Sequence, residues 1–275
     1  MHGHRGHAWL GWLLLVPSLL AAQPDPPALA ARLRQDIDAY EKLVEELDLN
    51  RLPGDLLNYP LVSDNLQRLG SRLEGLSRLA VELDRTPNAD WNRLAEALQL
   101  FENDLHQLRC QSLALRVWAY LDSHGRKEPE WGLAVDRTMA PLPRAKGTFD
   151  GEATGTLELT LRPGEPSTGS GPVGTQAAQL IVVPLTRDLR RVRAEVGDLK
   201  GPEGKLLAGQ MTLRPVDYEG QPHSERPDVP QDLSQAFILT IKAPADLKAG
   251  EYRGTVRVIP EGLKGLGVEL RVKVE

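Results

Sequence analysis

Residues 245–258 have the sequence ADLKAGEYRGTVRV. Asp246 and Gly250 precede Tyr252 in it, and Gly254 lies within an alternating run of polar and apolar residues. This order is typical of a tyrosine corner, in which the hydroxyl of a tyrosine near the start of a late strand binds the backbone a few residues upstream. We therefore predict that Tyr252, Gly250, Asp246 and Gly254 have structural roles in a β-sandwich.

The C-terminal half of the chain alternates with period two, as half-buried strands do. Seven strands are predicted, at residues 156–161, 179–183, 192–196, 206–218, 237–243, 252–259 and 266–274. Strands this short, separated by Gly and Pro turns, predict an immunoglobulin-like antiparallel β-sandwich over residues 148–275. Antibody domains carry a cysteine where this chain has Gly254, so we expect packing rather than a disulfide to join the two sheets.

The N-terminal half has helical periodicity. In the first predicted helix the apolar positions are Leu33, Ile37, Tyr40, Val44 and Leu47, a spacing typical of coiled-coil-like seams. Pro and Gly residues at 50–60 and the Thr-Pro-Asn sequence at 86–88 divide the region into three helices. Residues 25–125 are thus predicted to form an antiparallel three-helix bundle. Its seams either satisfy one another within the chain or provide a coiled-coil surface for a partner.

The third helix is predicted to be longer than the other two. Trp118 and Tyr120, near its end, would then extend beyond the bundle and contact either the second domain or another protein. Residues 126–147 are rich in Pro and Gly and are predicted to be an interdomain linker, although Trp131 indicates that part of this segment packs against something.

The order of several short motifs in the C-terminal half resembles a known module. These motifs are QLIVVP at 179–184, VRAEVGDL at 192–199, VDY at 216–218, RPD at 226–228 and the stretch from Ala243 to Val258. They resemble the noncatalytic β-sandwich that precedes the catalytic barrel in glycoside hydrolases similar to family 123 and in related exported bacterial proteins. The resemblance covers about residues 153–275 and departs at Ala236-Phe237, where such modules often carry Trp. It ends at Glu275, before any counterpart of the catalytic carboxylates, so it implies no catalytic residue.

Charge and cysteine usage narrow the class of protein. The net charge is −5, and neither half has the excess of Lys and Arg that phosphate neutralisation requires, so we expect no nucleic-acid partner. The single cysteine, Cys110, lies among helical residues and is interpreted as a small core residue. No motif indicates a catalytic, metal or cofactor site, and we expect none.

Four arginines, Arg187, Arg190, Arg191 and Arg193, form the densest cationic cluster. They are either a surface for an anionic glycan or acidic partner, or the solvated polar face of a strand. Together with Trp118, Tyr120 and Trp131 they make up the candidate partner surface.

The first residues predict export. Arg5 precedes an apolar run at 9–22 that is shorter than the roughly 20 residues of a spanning helix, which is typical of a cleaved signal peptide over residues 1–22. A retained anchor helix is the alternative. We expect a periplasmic or extracellular, non-enzymatic interaction protein of the cell envelope, with a protein partner and no transmembrane span after cleavage. The alternative is a glycan-binding accessory module that works with a separate glycoside hydrolase.

Overall fold

The computed structural model describes residues 25–47, 60–136, 154–163, 174–202, 205–206, 208–216, 224–231, 233–244 and 246–275. The predicted signal peptide and residues 137–147 of the predicted linker lie outside these ranges. The helices are α1 (Pro26–Glu46), α2 (Pro60–Arg85) and α3 (Asn92–Ser123). The strands are β1 (Trp131–Asp136), β2 (Thr156–Leu161), β3 (Thr175–Pro184), β4 (Arg193–Val196), β5 (Leu199–Lys200), β6 (Lys205–Leu206), β7 (Met211–Val216), β8 (Gln235–Lys242), β9 (Gly250–Ile259) and β10 (Leu266–Val274).

Three packed helices are followed by two β-sheets that form a sandwich, which confirms the predicted fold class. The first sheet has the strand order β1-β3-β8-β7. The second has the order β2-β10-β9-β5-β6, and β4 also pairs with β9. The pair β2–β10 is parallel, with Leu157 opposite Leu270, so the second sheet is mixed rather than antiparallel throughout.

The helical part is an antiparallel bundle with a leucine-rich core. Asn65 of α2 donates to Gln111 of α3 (Nδ2 to Oε1, 3.3 Å), and Arg72 pairs with Asp104, so residue numbers rise along one helix as they fall along the other. Both ends of α2 agree with the predicted breaks, because it begins at Pro60 and ends at Arg85, directly before the Thr-Pro-Asn sequence.

The seam of α1 differs from the predicted one. Leu33 and Leu47 are buried as expected, but the other buried positions are Leu29, Asp36 and Leu43. Ile37 is only partly buried, and Val44 is 39% exposed. The helix is therefore turned so that a carboxylate faces the core in place of an isoleucine.

Part of the predicted linker is a strand. Residues 131–136 form β1, which pairs with β3 along its whole length, from Trp131 opposite Pro184 to Asp136 opposite Gln179. Two features of the sequence concealed this strand. The surrounding segment is rich in Pro and Gly, and all six residues of β1 are buried, so the segment lacks the alternation of a strand with one solvated face. The short strand β5 was also not predicted, and the single strand predicted from residue 206 is divided into β6 and β7 by a 3-10 turn at Ala208–Gln210.

Candidate functional site

The tyrosine corner has the hydrogen bond that its sequence predicts. Tyr252 is fully buried, and its hydroxyl donates to the carbonyl oxygen of Lys248 (3.1 Å). The ring lies directly over Gly201, where an added Cβ would come within 2.3 Å of Tyr252 Cε1. The corner therefore fixes the start of β9 against the segment that follows β5.

The other predicted corner residues are placed around this contact. Gly250 has φ +142°, and a Cβ there would approach Pro202 Cγ to 2.7 Å. A Cβ on Gly254 would approach Leu199 Cδ2 to 2.5 Å, which explains why no cysteine side chain fits there. Asp246 is exposed, in the turn that precedes the strand.

The C-terminal half of α3 packs against the first sheet. Leu113, Val117 and Leu121 form a cluster with one row of sheet residues, together with Cys110, Val183 and Leu185. The row crosses four strands in register and consists of Ala134, Ile181, Ala236 and Val216. We call this cluster the helix–sheet interface.

Small residues allow the helix to approach the sheet closely. A Cβ on Gly132 would lie 2.3 Å from Val117 Cγ1 and 2.9 Å from Leu121 Cδ1. The side chains of β3 alternate, with Leu180 and Val182 in the sandwich core and Ile181 and Val183 in the helix–sheet interface. This double burial explains the apolar run on both faces of that strand. Because the other side of α3 forms the bundle core, one helix belongs to both halves of the molecule.

The predicted aromatic partner residues contact other parts of the chain. Trp118 packs against both the bundle core and the helix–sheet interface, and Tyr120 packs against the latter. These positions agree with the first predicted alternative, contact with the second domain. Trp131 is only 5% exposed and lies in the sandwich core, so its side chain is not part of a surface.

The arginine cluster is largely neutralised by carboxylates. Three of its members form ion pairs: Arg187 with Glu130 (3.1 Å), Arg191 with Glu261 (3.3 Å) and Arg193 with Glu195 (3.0 Å). Arg190 is exposed and has no such pair among the described residues. The cluster is thus a solvated polar surface of mixed charge, with one arginine outside the pairing.

An open groove of about 460 Å³ lies beside this cluster, between the segments at 188–191 and 228–230. Its walls are held together by hydrogen bonds from backbone N–H groups to aspartate carboxylates. Arg191 N donates to Asp228 Oδ1 (2.7 Å), and Gln231 N donates to Asp188 Oδ1 (2.9 Å). The lining is polar apart from Leu189, Val229 and Pro230, and none of its residues is aromatic. Such a groove can form hydrogen bonds but offers no ring for stacking on a sugar.

The outer face of the second sheet carries acidic and basic residues that alternate along its strands. Arg253 donates to Glu251, and Arg271 donates to Glu269, each through two hydrogen bonds of 2.9–3.0 Å. These bonds lower the pKa of the Glu251 and Glu269 carboxyls. An open groove of about 650 Å³ lies against this face and is lined by Glu158, Thr160, Gly250, Glu251, Arg271 and Lys273, together with Leu159 and Val274. We call Glu251, Arg253, Glu269 and Arg271 the charged outer face.

A histidine lies beside the single cysteine, which the sequence reasoning missed. His106 Nε2 is 3.7 Å from Cys110 Sγ, one helical turn away, and the spacing of four residues is the signal that could have identified the pair. Burial raises the pKa of Cys110 to about 11, whereas burial and nearby Arg109 lower the pKa of His106 to about 4. Both groups are neutral near pH 7. The pair therefore lacks the thiolate and imidazolium of a catalytic dyad, and Cys110 has the structural role that was predicted.

A partly buried group of charges joins α1 to α3. Arg32 forms a two-pronged ion pair with Glu102, whose side chain is 2% exposed, and also donates to Gln99 Oε1 (3.0 Å). Asp36, one turn after Arg32, is buried within its electrostatic reach. Sequence reasoning missed this group because it considered only the apolar seam. The signal was present in charges spaced by four residues on α1.

Two classes of site are absent from the part of the chain that the structure describes. No group of three or more His, Cys, Asp or Glu side chains is placed to hold a metal ion there. Among the helices of the same residues, none is both long and apolar enough to cross a membrane.

Comparisons with known proteins give a distant structural likeness. No protein-family model matches the chain, and no curated protein matches it in sequence. A family 123 glycoside hydrolase from Clostridium perfringens matches 53% of this chain and 27% of its own, with 10% identity and a TM-score of 0.40. The adhesin CfaE of enterotoxigenic E. coli matches 52% of this chain and 48% of its own, with 12% identity and a TM-score of 0.28. The CupB6 tip adhesin of Pseudomonas aeruginosa matches 44% and 42%, with 11% identity and a TM-score of 0.24. The chain thus has a distant and partial likeness to these bacterial proteins and no sequence family.

Proposed function

We propose that the protein is an exported, non-enzymatic scaffold of the cell envelope or periplasm, in which the sandwich holds the helical bundle and the bundle binds a protein partner. This proposal rests on the positions of the large apolar side chains that are exposed. Among the described residues four such side chains are exposed, and three of them lie on helices: Val44 on α1, Val81 on α2 and Leu100 on α3. Leu100 is 63% exposed and Val81 is 51% exposed.

The two outer faces of the sandwich support the same assignment. The outer face of the first sheet contacts α3 along the helix–sheet interface. The charged outer face of the second sheet forms ion pairs within itself, so a partner would have to displace bonds that already exist. Most protein interfaces have an apolar centre, and among the described residues the bundle exposes more large apolar side chains than the sandwich does.

The resemblance of residues 153–275 to the immunoglobulin-like module of family 123-like hydrolases is part of this proposal. In such hydrolases the module is noncatalytic and stands beside a catalytic barrel. We assign the sandwich the same supporting role here, with the helical bundle as the element that it positions.

A glycan-binding accessory module is the second candidate, and one observation favours it. The groove beside Arg190 combines an arginine outside the pairing with the carboxylates of Asp188 and Asp228, and such groups can bind sugar hydroxyls. Binding on a glycan array that is lost in Arg190→Ala would support this candidate. An array without any signal would eliminate it.

The main proposal is tested by comparing two surfaces of the purified full-length protein. Leu100→Glu and Val81→Glu introduce charge on the bundle, and Thr255→Glu introduces the same charge at an exposed position of β9, on the outer face of the second sheet. Chemical crosslinking in an envelope extract should yield a defined partner that the two bundle variants lose and Thr255→Glu retains. The reverse pattern would refute the bundle as the partner surface. Glycan hydrolysis that disappears on substitution of one carboxylate would refute the non-enzymatic role.

A further inference from the structure

Helix α1 contains two overlapping seams of five residues each. They share three residues, and at the other two places the second seam uses the next residue along the chain. Both seams include Leu33, Tyr40 and Leu47. One seam adds Asp36 and Leu43, whereas the other adds Ile37 and Val44. At 100° per residue, turning the helix from the first seam to the second requires a rotation of about 40° about its axis.

The structure uses the seam that contains the charge. Asp36 is 1% exposed and Leu43 is 2% exposed, whereas Ile37 lies at the margin of the core and Val44 is exposed. Burying a carboxylate costs free energy unless it is compensated by charge or hydrogen bonds. Apolar periodicity alone favours the second seam, because that seam has Ile37 in place of Asp36, so polar contacts of α1 must hold the helix in the first.

The contact that holds α1 is its ion pair with Glu102. Glu102 is buried on the side of α3 that faces α1, and it would leave an uncompensated buried charge without Arg32. Arg32 must therefore point inward at this level. Asp36 lies four residues later on the same side of α1 and turns inward with it, where the two carboxylates raise the pKa of Arg32.

Tyr40 is a further contact between α1 and α2. Its hydroxyl donates to the carbonyl oxygen of Leu66 on α2 (3.0 Å). Gly70 makes room for the ring, because a Cβ there would approach Tyr40 Oη to 2.6 Å. Since Tyr40 belongs to both seams, its ring faces the bundle in either setting of α1.

We propose that the Arg32–Glu102 ion pair is a rotational lock that selects one of two settings of α1. Without the pair, α1 turns by about 40°, Val44 and Ile37 move into the core, and Asp36 reaches water. Val44 then takes the place of Leu43, so the exchange of apolar contacts is nearly even. The turn also removes Val44 from the outer surface of the bundle. The lock operates whatever partner the protein binds.

The test measures thiol labelling at neighbouring positions of α1 in the full-length protein. Val44→Cys and Leu43→Cys are prepared separately, each with and without Glu102→Gln, and peptide mass spectrometry reads each site apart from buried Cys110. In the parent, position 44 should react faster than position 43. Glu102→Gln should slow position 44 and accelerate position 43, so that the ratio of the two rates falls by at least about tenfold.

Every other pattern overturns the lock. Unchanged rates at both positions would mean that the pair does not set the rotation of α1. Faster labelling at both would mean that the helix detaches rather than turns. If Glu102→Gln fails to fold, the double variant Arg32→Met with Glu102→Leu removes both charges, and the same crossover of rates is required of it.

A matched control is available on the other side of α3. Arg72 and Asp104 form an interhelical pair of the same chemistry between α2 and α3, but their side chains are 48% and 26% exposed. Asp104→Asn should leave both labelling rates as in the parent. An equal crossover in this variant would show that any lost ion pair loosens the bundle, which would also overturn the specific role of Glu102.

Discussion

Gly132→Ala should destabilise the protein although alanine is normally the better strand residue. The new Cβ would lie 2.3 Å from Val117 Cγ1, far inside van der Waals contact, and 2.9 Å from Leu121 Cδ1. Neither neighbour has room to move, because Val117 is fully buried and Leu121 belongs to the same cluster. Overpacking of this kind costs about 1–3 kcal/mol, which exceeds the roughly 0.5–1 kcal/mol that alanine gains over glycine in a strand.

The assay is urea unfolding of purified protein followed by tryptophan fluorescence and circular dichroism. Gly75→Ala is the matched control, because this glycine lies inside α2 with no atom within 4 Å of a new Cβ. The control should gain about 1 kcal/mol from helix propensity. If Gly132→Ala is neutral or stabilising while Gly75→Ala behaves as expected, α3 does not press against β1 as described.

Three further predictions concern single side chains. Tyr252→Phe keeps the ring and loses the hydrogen bond to Lys248, so the free energy of unfolding should fall by about 0.5–1.5 kcal/mol; an unchanged value would contradict a stabilising corner. Because the pKa of His106 is lowered to about 4 from 6.5, the unfolded state binds the proton more readily, and stability should fall as pH decreases from about 6.5 towards 4. In urea unfolding measured at several pH values, His106→Gln should reduce the dependence of the free energy of unfolding on pH in this range. An unchanged slope would mean that other groups cause this dependence. The Cys110 thiol should react with a thiol reagent slowly in native buffer and rapidly in urea, since it is buried with a pKa near 11; rapid native labelling would contradict this burial.

The sandwich could be predicted because its determinants are local. Tyr252 and the glycines around it form a short motif, and strands such as β10 alternate clearly between buried and solvated side chains. Strand β1 was missed for the opposite reason. Its side chains face the sandwich core on one side and α3 on the other, so the sequence shows no alternation to detect.

The contacts that connect separate elements could not be predicted from one sequence. The rotation of α1 depends on Glu102, about seventy residues later in the chain, whereas the apolar periodicity of α1 by itself favours Ile37 over Asp36 as the inward residue. The arginine cluster similarly stands out as a run of positive charge, but the carboxylates that neutralise it come mostly from distant segments at Glu130 and Glu261. A local sequence pattern can identify a seam or a charge cluster. The residues that contact it come from distant segments and are determined by the tertiary structure.

Helix α3 joins the bundle and the sandwich into one packed body. Hydrogen exchange measured by mass spectrometry at increasing urea concentration tests it directly, by comparing peptides from residues 113–121 of α3 with peptides from residues 180–184 of β3. We expect both segments to be strongly protected and to lose their protection together, as parts of one cooperative unit. Rapid exchange in the α3 segment while β3 remains protected would contradict it.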